Sequence, residues 1–214
     1  MSSSNISRTE FYQKLNKLVE SSLSSSPTSD AISCMSNISS IIFHQLQNYY
    51  GQNSVNWCGF YLVKQPIYQT DNDNINKDNS NDSEIDEPVL ILGPFHGQPA
   101  VTLIHYGRGV CGTSLKTNST QLIPNVHEHP NHIACDSRSQ SEIVIPVYNL
   151  NQKFIAMIDI DSPIIDGFNI EDKNGLEKIS SLLTKYCDWD SLINTVKLAQ
   201  RFDPDDVTCP SKIH

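Results

Sequence analysis

Two short apolar runs in the C-terminal half limit the folds that are open to this chain. They are Glu142–Val147 and Phe154–Asp161, and the segment between them is short and polar. Runs of this length that are rich in isoleucine and valine predict two neighbouring strands of a hairpin. Asp159 and Asp161 lie two residues apart in the second run, so both side chains are predicted to point to the same face of a sheet.

Three carboxylates are therefore expected near one another, because Glu142 begins the first run of the same hairpin. A carboxylate is costly to bury without a partner. The aspartate pair fits either an exposed sheet edge or a binding site, and the pattern alone does not separate the two. The nearby Glu142 favours a site for a cationic ligand.

The rest of the chain mixes helical and strand periodicity. Apolar residues at helical spacing predict a packing helix near residues 8–23, and a stronger helix that follows Asp30 and stops at Gly51. Strands and a short helix come next, and a last helix near Glu171–Tyr186 is predicted to cover the sheet. The further strands are Val55–Val63, Val89–Gly93, one near Val101–Ile104 and Gln121–Ile123, and the short helix is Val110–Lys116.

One folded domain is predicted at residues 8–187, since no second hydrophobic cluster requires another. Residues 66–87 are predicted to be a disordered insertion within it, because from residue 71 onward they are almost wholly Asn, Asp, Ser and Glu. Such a composition cannot bury enough apolar surface to offset the entropy of ordering. Residues 1–7 are expected to be a flexible N-terminus, and residues 188–214 a C-terminal extension.

The formal net charge of -9 argues against nucleic acid or an anionic membrane as the main partner, because both require clustered Lys and Arg. No apolar run approaches the roughly 20 residues of a spanning helix, and the serine-rich start lacks the regions of a signal peptide. We expect a cytoplasmic protein whose partner is a small zwitterion or another protein.

The cysteines stand at positions 34, 58, 111, 135, 187 and 209. Reduced thiols are expected, and any bridge that forms is expected to be catalytic. Cys111 falls in the first turn of the predicted short helix, where unpaired N–H groups favour a thiolate, although a buried inert thiol is the alternative. Cys135 lies in the long polar loop 125–140 and is expected to be exposed rather than buried. Cys187 and Cys209 have no evident chemical partner.

Trp57, Gly59 and Tyr61 share one face of the predicted Val55–Val63 strand. The glycine between two aromatics would leave a gap that a ligand methyl group could fill. The alternative is that both aromatics belong to the core, and the pattern alone favours it. Cys58 on the other face is expected to be a small buried hydrophobe.

A histidine series, His127, His129 and His132, precedes Cys135 and offers ligand types suited to zinc. Its spacing matches no standard zinc signature. We therefore predict no metal, and expect the histidines to be solvated or to hold the loop by hydrogen bonds.

Six ordered motifs agree with one known family, which is a far more specific signal than any single motif. The motifs are Asn56-Trp57-Cys58-Gly59-Phe60-Tyr61, Leu92-Gly93-Pro94-Phe95-His96-Gly97, Gly107-Arg108-Gly109-Val110-Cys111-Gly112-Thr113, His132-Ile133-Ala134-Cys135-Asp136, Ser141-Glu142-Ile143-Val144 and Asp159-Ile160-Asp161-Ser162. Together they resemble the GAF-fold free methionine-(R)-sulfoxide reductases. The resemblance covers about residues 10–187, apart from the Asn/Asp insertion.

The resemblance implies a single GAF domain of the α+β class, with an antiparallel sheet of about six strands and helices packed mainly on one side. It also implies how the substrate, free methionine sulfoxide, is held. The residues that hold its amino group and assist protonation of its sulfoxide oxygen are Glu142, Asp159 and Asp161. The residues that enclose its methylthio end are Trp57 and Tyr61.

The resemblance further implies that Cys135 attacks the sulfoxide sulfur and becomes a sulfenic acid, which a second thiol condenses to a disulfide. Thioredoxin or another dithiol then restores the enzyme, and no bound cofactor is implied. Many members carry a further cysteine where this chain has Val101. Its loss leaves Cys111 as the expected resolving thiol, or requires an external one.

Two other readings of the resemblance stay open. One is a GAF module that binds a small ligand, such as a cyclic nucleotide, without turnover, although three acids would repel a phosphate. The other is a degenerate reductase kept as a sulfoxide-binding or thiol-sensing protein, which the valine at position 101 makes credible. The expected partners are free methionine sulfoxide and thioredoxin, and a homodimer is one possible assembly.

Overall fold

The structure, a computed structural model, describes residues 6–64, 87–129, 136–190 and 192. The helices are α1 (Arg8–Ser24), α2 (Ala31–Tyr50), α3 (Gly109–Thr117) and α4 (Ile170–Tyr186). The strands are β1 (Trp57–Lys64), β2 (Val89–Gly97), β3 (Leu103–His105), β4 (Gln121–Ile123), β5 (Ser141–Tyr148) and β6 (Phe154–Ser162), with a 3-10 turn at Val126–Glu128. Each predicted helix and strand is present, with bounds that differ by a few residues.

The strands form one sheet in the order β3-β2-β1-β6-β5-β4, and every neighbouring pair is antiparallel. This arrangement confirms the predicted α+β class and six-stranded antiparallel sheet. The hairpin formed by β5 and β6 lies inside the sheet, with β1 on one flank and β4 on the other. The two aspartates of β6 are therefore not at an exposed edge, and that interpretation is wrong.

The two faces of the sheet are covered differently. Isoleucines of β5 and β6, with Cys58 and Phe60 of β1, pack against α1, α2 and α4 in one core cluster. The opposite face carries a smaller cluster in which Trp57, Tyr61 and Met157 meet side chains of α3. Helices thus lie mainly on one side, as predicted, because the larger apolar set of each central strand points that way.

Side-chain caps fix where the long helices begin. Ser7 accepts a hydrogen bond from the backbone N–H of Glu10, and Asp30 accepts one from Ser33, which satisfies N–H groups that have no partner within the helix. The start of α4 is a capping box, in which Asn169 and Asp172 each accept from the other's backbone.

The fully buried Asp172 also joins α4 to two other helices. It accepts hydrogen bonds from Arg8 Nη1 at 2.7 Å and from the hydroxyl of Tyr12 at 2.8 Å, both on α1, and from the hydroxyl of Tyr50 on α2. Gly175, one turn further along α4, leaves room for the Tyr12 ring: a Cβ atom there would lie 2.1 Å from two ring carbons. Helix α1 is therefore held against α4 by the hydrogen bonds to Asp172 and by the close packing of Tyr12 on Gly175.

Among the residues that the structure describes, none of the helices combines the length and hydrophobicity that a membrane span requires. The predicted insertion at 66–87 lies outside the described residues except for Glu87. Of the predicted extension at 188–214, only residues 188–190 and 192 are described. Residues 1–5 of the predicted N-terminus also lie outside the described residues.

Candidate functional site

Strand pairing brings the three predicted carboxylates onto one face. Asp161 of β6 lies opposite Glu142 of β5 and opposite Trp57 of β1. Asp159, two residues earlier on β6, lies opposite Gly59. Because side chains two apart in a strand share a face, all three acids point away from the layer of α1, α2 and α4.

Burial controls the protonation of these acids. Glu142 is 7% exposed and Asp159 is 6% exposed, while Asp161 is half-buried. Burial disfavours a charged carboxylate and is the main reason why the pKa of Glu142 and the pKa of Asp161 are raised well above their ordinary values. Burial raises the pKa of Asp159 to about 7. The site can therefore hold or release protons near neutral pH.

One oxygen atom of Asp159 could accept a hydrogen bond from a ligand. Its buried Oδ1 accepts no hydrogen bond from any described residue. Such an unsatisfied buried acceptor costs free energy. A bound ammonium group would supply both a donor and an opposite charge.

Cys111 lies beside the acids, in the first turn of α3. Its Sγ donates to Glu142 Oε1 at 3.8 Å, and it also interacts with the Asp159 side chain. Burial raises the pKa of the Cys111 thiol, and the charges of Asp159 and Glu142 raise it further. The prediction of a thiolate at Cys111 is therefore wrong, because burial and two neighbouring acids outweigh the helix N-terminus.

Glycines place α3 close to this sheet face. Gly109 has a φ of 61°, a conformation that glycine adopts without strain, and it begins the helix. Gly112 lies so near the preceding strand that a Cβ atom would be 2.5 Å from the carbonyl oxygen of His105. The glycine spacing in this motif therefore sets how closely Cys111 approaches the carboxylates.

The aromatic residues form a packed wall at the other end of the site. The rings of Trp57 and Tyr61 are stacked with centroids 6.0 Å apart, and Phe95 stacks on Trp57 at 5.4 Å. Trp57 Nε1 donates to the carbonyl of Gln98, and the Tyr61 hydroxyl donates to that of Val101. Both predicted aromatics are buried, as the core interpretation expects.

The gap predicted over Gly59 is absent. A Cβ atom at this position would lie 2.4 Å from Phe95 Cβ and 2.5 Å from the Trp57 indole. The space that glycine leaves is filled by these two side chains, so the idea of an open methyl-sized gap is wrong. Phe95, which the sequence prediction did not include in the site, is part of this wall. Its position in the Gly93-Pro94-Phe95 run gave no periodic signal.

Cys135, the predicted nucleophile, lies outside the described residues. Its neighbour Asp136 accepts three side-chain hydrogen bonds from Arg138, at 2.6 to 3.0 Å. These bonds are the main reason why the pKa of Asp136 is lowered to about 2. Asp136 is therefore a charged anchor directly after the predicted nucleophile.

Asn56 and Ser139 support the site and were missed by the sequence prediction. Asn56 Nδ2 donates to Asp136 Oδ2 at 3.2 Å and to Ser139 Oγ at 2.9 Å. The Ser139 hydroxyl in turn hydrogen-bonds the side chain of Asp161. No periodic pattern marks either residue, because the contact joins the start of β1 to a loop far away in sequence.

One group of described residues has the donors to hold a metal ion. Cys111, Glu142 and Asp159 offer ligand atoms that all lie within 4.8 Å of one another. In the histidine series, His127 Nε2 lies 3.2 Å from Gln140 Oε1, in line with a role in holding the loop, while His132 and Cys135 lie outside the described residues. The absence of a functional metal remains a prediction.

The fold and the site together define a GAF-domain protein that carries a buried thiol beside acidic side chains. No family model matches the chain. A solved structure described as the structure of the GAF domain superposes with a TM-score of 0.70 at 34% identity, over 88% of this chain and 93% of that one.

Two further comparisons narrow the class. The free methionine-R-sulfoxide reductase of Saccharomyces cerevisiae is 38% identical over 153 residues, which cover 72% of this chain and 73% of the yeast protein. The structure of free methionine-R-sulfoxide reductase from Neisseria meningitidis in complex with its substrate has a TM-score of 0.66 at 27% identity, over 89% of this chain and 95% of that one. This chain belongs to the free methionine-R-sulfoxide reductase family, a family of oxidoreductases.

Proposed function

We propose that this chain reduces free methionine-(R)-sulfoxide to methionine. The observation that carries the proposal is the buried group of Cys111, Glu142 and Asp159, whose polar atoms lie within 4.8 Å of one another. It stands on the sheet face that also bears Trp57 and Tyr61. A family relative with this activity in its name, and a related structure that contains substrate, support the assignment.

The carboxylates select a free amino acid. Asp159 Oδ1, buried and without a donor among the described residues, would accept from the substrate ammonium, and Glu142 and Asp161 would share its charge. Methionine within a peptide has no ammonium at this position, so its binding would leave the acids without a counter-ion. Trp57 and Tyr61 would border the apolar methylthio end.

The acids also supply protons. Reduction of a sulfoxide requires a proton on the departing oxygen, and a carboxyl group of raised pKa remains protonated near neutral pH. Burial raises the pKa of Glu142, Asp159 and Asp161. Binding of the ammonium would lower these values again, so ligand binding and proton transfer are coupled.

The redox steps balance with two thiols of the chain. The Cys135 thiolate attacks the sulfoxide sulfur, the S–O bond breaks as oxygen passes to Cys135, and methionine leaves, so that Cys135 becomes a sulfenic acid. The Cys111 thiol then attacks the Cys135 sulfur, releases water and forms a disulfide. Because the pKa of the Cys111 thiol is raised, this second step requires a base, and the nearby Asp159 can accept the thiol proton.

Recycling requires a dithiol such as thioredoxin, whose two thiols become a disulfide as Cys111 and Cys135 are reduced. With valine at position 101, the route has one thiol fewer than in many members. No cofactor enters the scheme. We also propose a cytoplasmic location, thioredoxin as the partner and a homodimer as the assembly.

The test is consumption of free L-methionine-(R)-sulfoxide beside the (S) epimer and a blocked, peptide-like sulfoxide. Dithiothreitol and then thioredoxin serve as reductants. Reduction of the free (R) form alone supports the proposed function. Activity with dithiothreitol but not with thioredoxin would support the reduction step and count against recycling by thioredoxin. Without turnover under either condition, the chain is a ligand-binding or thiol-sensing GAF module instead.

Cysteine variants separate the two proposed thiols. Cys135→Ser is expected to abolish reduction while still binding substrate, and wild-type turnover would remove Cys135 as nucleophile. Cys111→Ser is expected to reduce one equivalent of substrate but to slow repeated cycles with thioredoxin at least tenfold. Cys58→Ala is the matched control, because Cys58 packs on the side of the sheet opposite Cys111. Unimpaired cycling in Cys111→Ser would exclude Cys111 as the sole resolving thiol.

A further inference from the structure

A second pair of thiols lies on the sheet face opposite the carboxylates. Cys34 is buried near the start of α2, and Cys187 is a half-buried residue that caps the end of α4. Cys187 packs against the core cluster that contains Cys34. The two thiols lie close enough for each to shift the pKa of the other. The sequence offered no evident chemical partner for Cys187, whereas the structure places a second thiol near it.

Backbone contacts bring together the two segments that carry these thiols. The N–H of Asp188 donates to the carbonyl of Ser29 at 2.7 Å, and Asp188 pairs with Asp30 in a parallel bridge. The N–H of Cys34 donates to the Asp30 carbonyl at 3.0 Å, which places Cys34 one helical turn beyond this bridge. The residue that precedes Asp188 therefore lies against the first turns of α2.

We propose that Cys34 and Cys187 are a disulfide-forming pair, separate from the substrate site, which closes in the presence of a small-molecule disulfide such as oxidised glutathione. The more exposed Cys187 attacks a glutathione sulfur and releases one glutathione thiol. Cys34 then attacks the Cys187 sulfur, and the second glutathione leaves. Two protein thiols are oxidised to one disulfide, and one glutathione disulfide is reduced to two thiols.

The bond would fasten the end of α4 to the start of α2. These helices lie on the same side of the sheet, and the chain between the two cysteines contains all of its strands. A disulfide that closes so long a loop restricts the unfolded chain strongly. Burial raises the pKa of both thiols, so the exchange is expected to take hours rather than seconds at neutral pH.

Peptide mapping tests the pair on the full-length protein. The protein is incubated with oxidised glutathione, free thiols are blocked with N-ethylmaleimide, and trypsin is added without reductant. Cys34 falls in the tryptic peptide 18–64, together with Cys58, and Cys187 falls in the peptide 186–197. The expected product is these two peptides joined by a disulfide. It should be lost in Cys34→Ser and in Cys187→Ser, and retained in the matched control Cys58→Ala.

Thermal unfolding gives a second readout. The oxidised wild-type protein is expected to unfold at a temperature about 5 °C or more above that of the reduced protein, and Cys187→Ser should not show this rise. A glutathione adduct on Cys187 without the linked peptide overturns the proposal, as does a linked peptide that survives Cys34→Ser. Neither readout requires turnover, so the result stands apart from the proposed reductase activity.

Discussion

Replacing Asp159 by asparagine is expected to stabilise the unliganded protein above neutral pH while it weakens substrate binding. Burial raises the pKa of this carboxyl from its ordinary 3.8 to about 7. Between these values the folded state binds more protons than the unfolded state, so stability falls as pH rises through this window and levels off above about pH 7. The full difference corresponds to roughly 4 kcal/mol.

The effect of Asp159 on the pH dependence of stability can be separated from that of Asp136, whose pKa is lowered rather than raised. Hydrogen bonds from Arg138 lower the pKa of Asp136 to about 2, so its contribution to stability is complete above about pH 4 and is lost only as pH falls further. From pH 5 to pH 8, Asp159 alone should remove roughly 3 kcal/mol, or about 5–10 °C of unfolding temperature. The raised pKa values of Glu142 and Asp161 act in the same direction.

The assay is urea unfolding of the wild-type protein and Asp159→Asn at pH 5 and pH 8. The variant should be more stable than the wild type at pH 8 and should lose less stability between the two values. Asp166→Asn is the matched control, because Asp166 is exposed and has a φ of 54°, which asparagine readily adopts. Equal pH dependence in the wild type and Asp159→Asn would refute the reasoning. Loss of one charged hydrogen bond to the substrate should also raise KM about 10- to 100-fold.

Three further variants test the packing. Gly175→Ala should cost about 2 kcal/mol or more in urea unfolding, because its Cβ would lie 2.1 Å from the Tyr12 ring near the attachment point of the ring; an unchanged midpoint would contradict the fit of α1 on α4. Asp172→Asn should cost roughly 3 kcal/mol, since Arg8 would lose a charged partner, and equal stability at neutral pH would show that the charge is unimportant. Gly59→Ala should disturb the Trp57 and Phe95 rings, which near-ultraviolet circular dichroism would detect; an unchanged spectrum would argue against their close stacking over Gly59.

Much of the fold followed from periodicity. Alternation along β1 and β6 predicted which side chains share a face, and Cys58 and Phe60 do pack away from Trp57 and Tyr61. Local patterns succeed here because the side-chain period of a strand is fixed by the backbone. Capping residues such as Asp30 likewise marked a helix start, since a cap acts within one turn.

The sequence by itself determined the elements, the acidic hairpin and the motifs that identify the family. Tertiary structure alone decided that Asp159 is interior rather than at an edge, that Cys111 is a thiol of raised pKa, and that Cys187 packs against the core cluster that contains Cys34. Each of these properties depends on strand order or on contacts between residues far apart in the chain. Burial and charge are sums over such contacts, and no local pattern contains them.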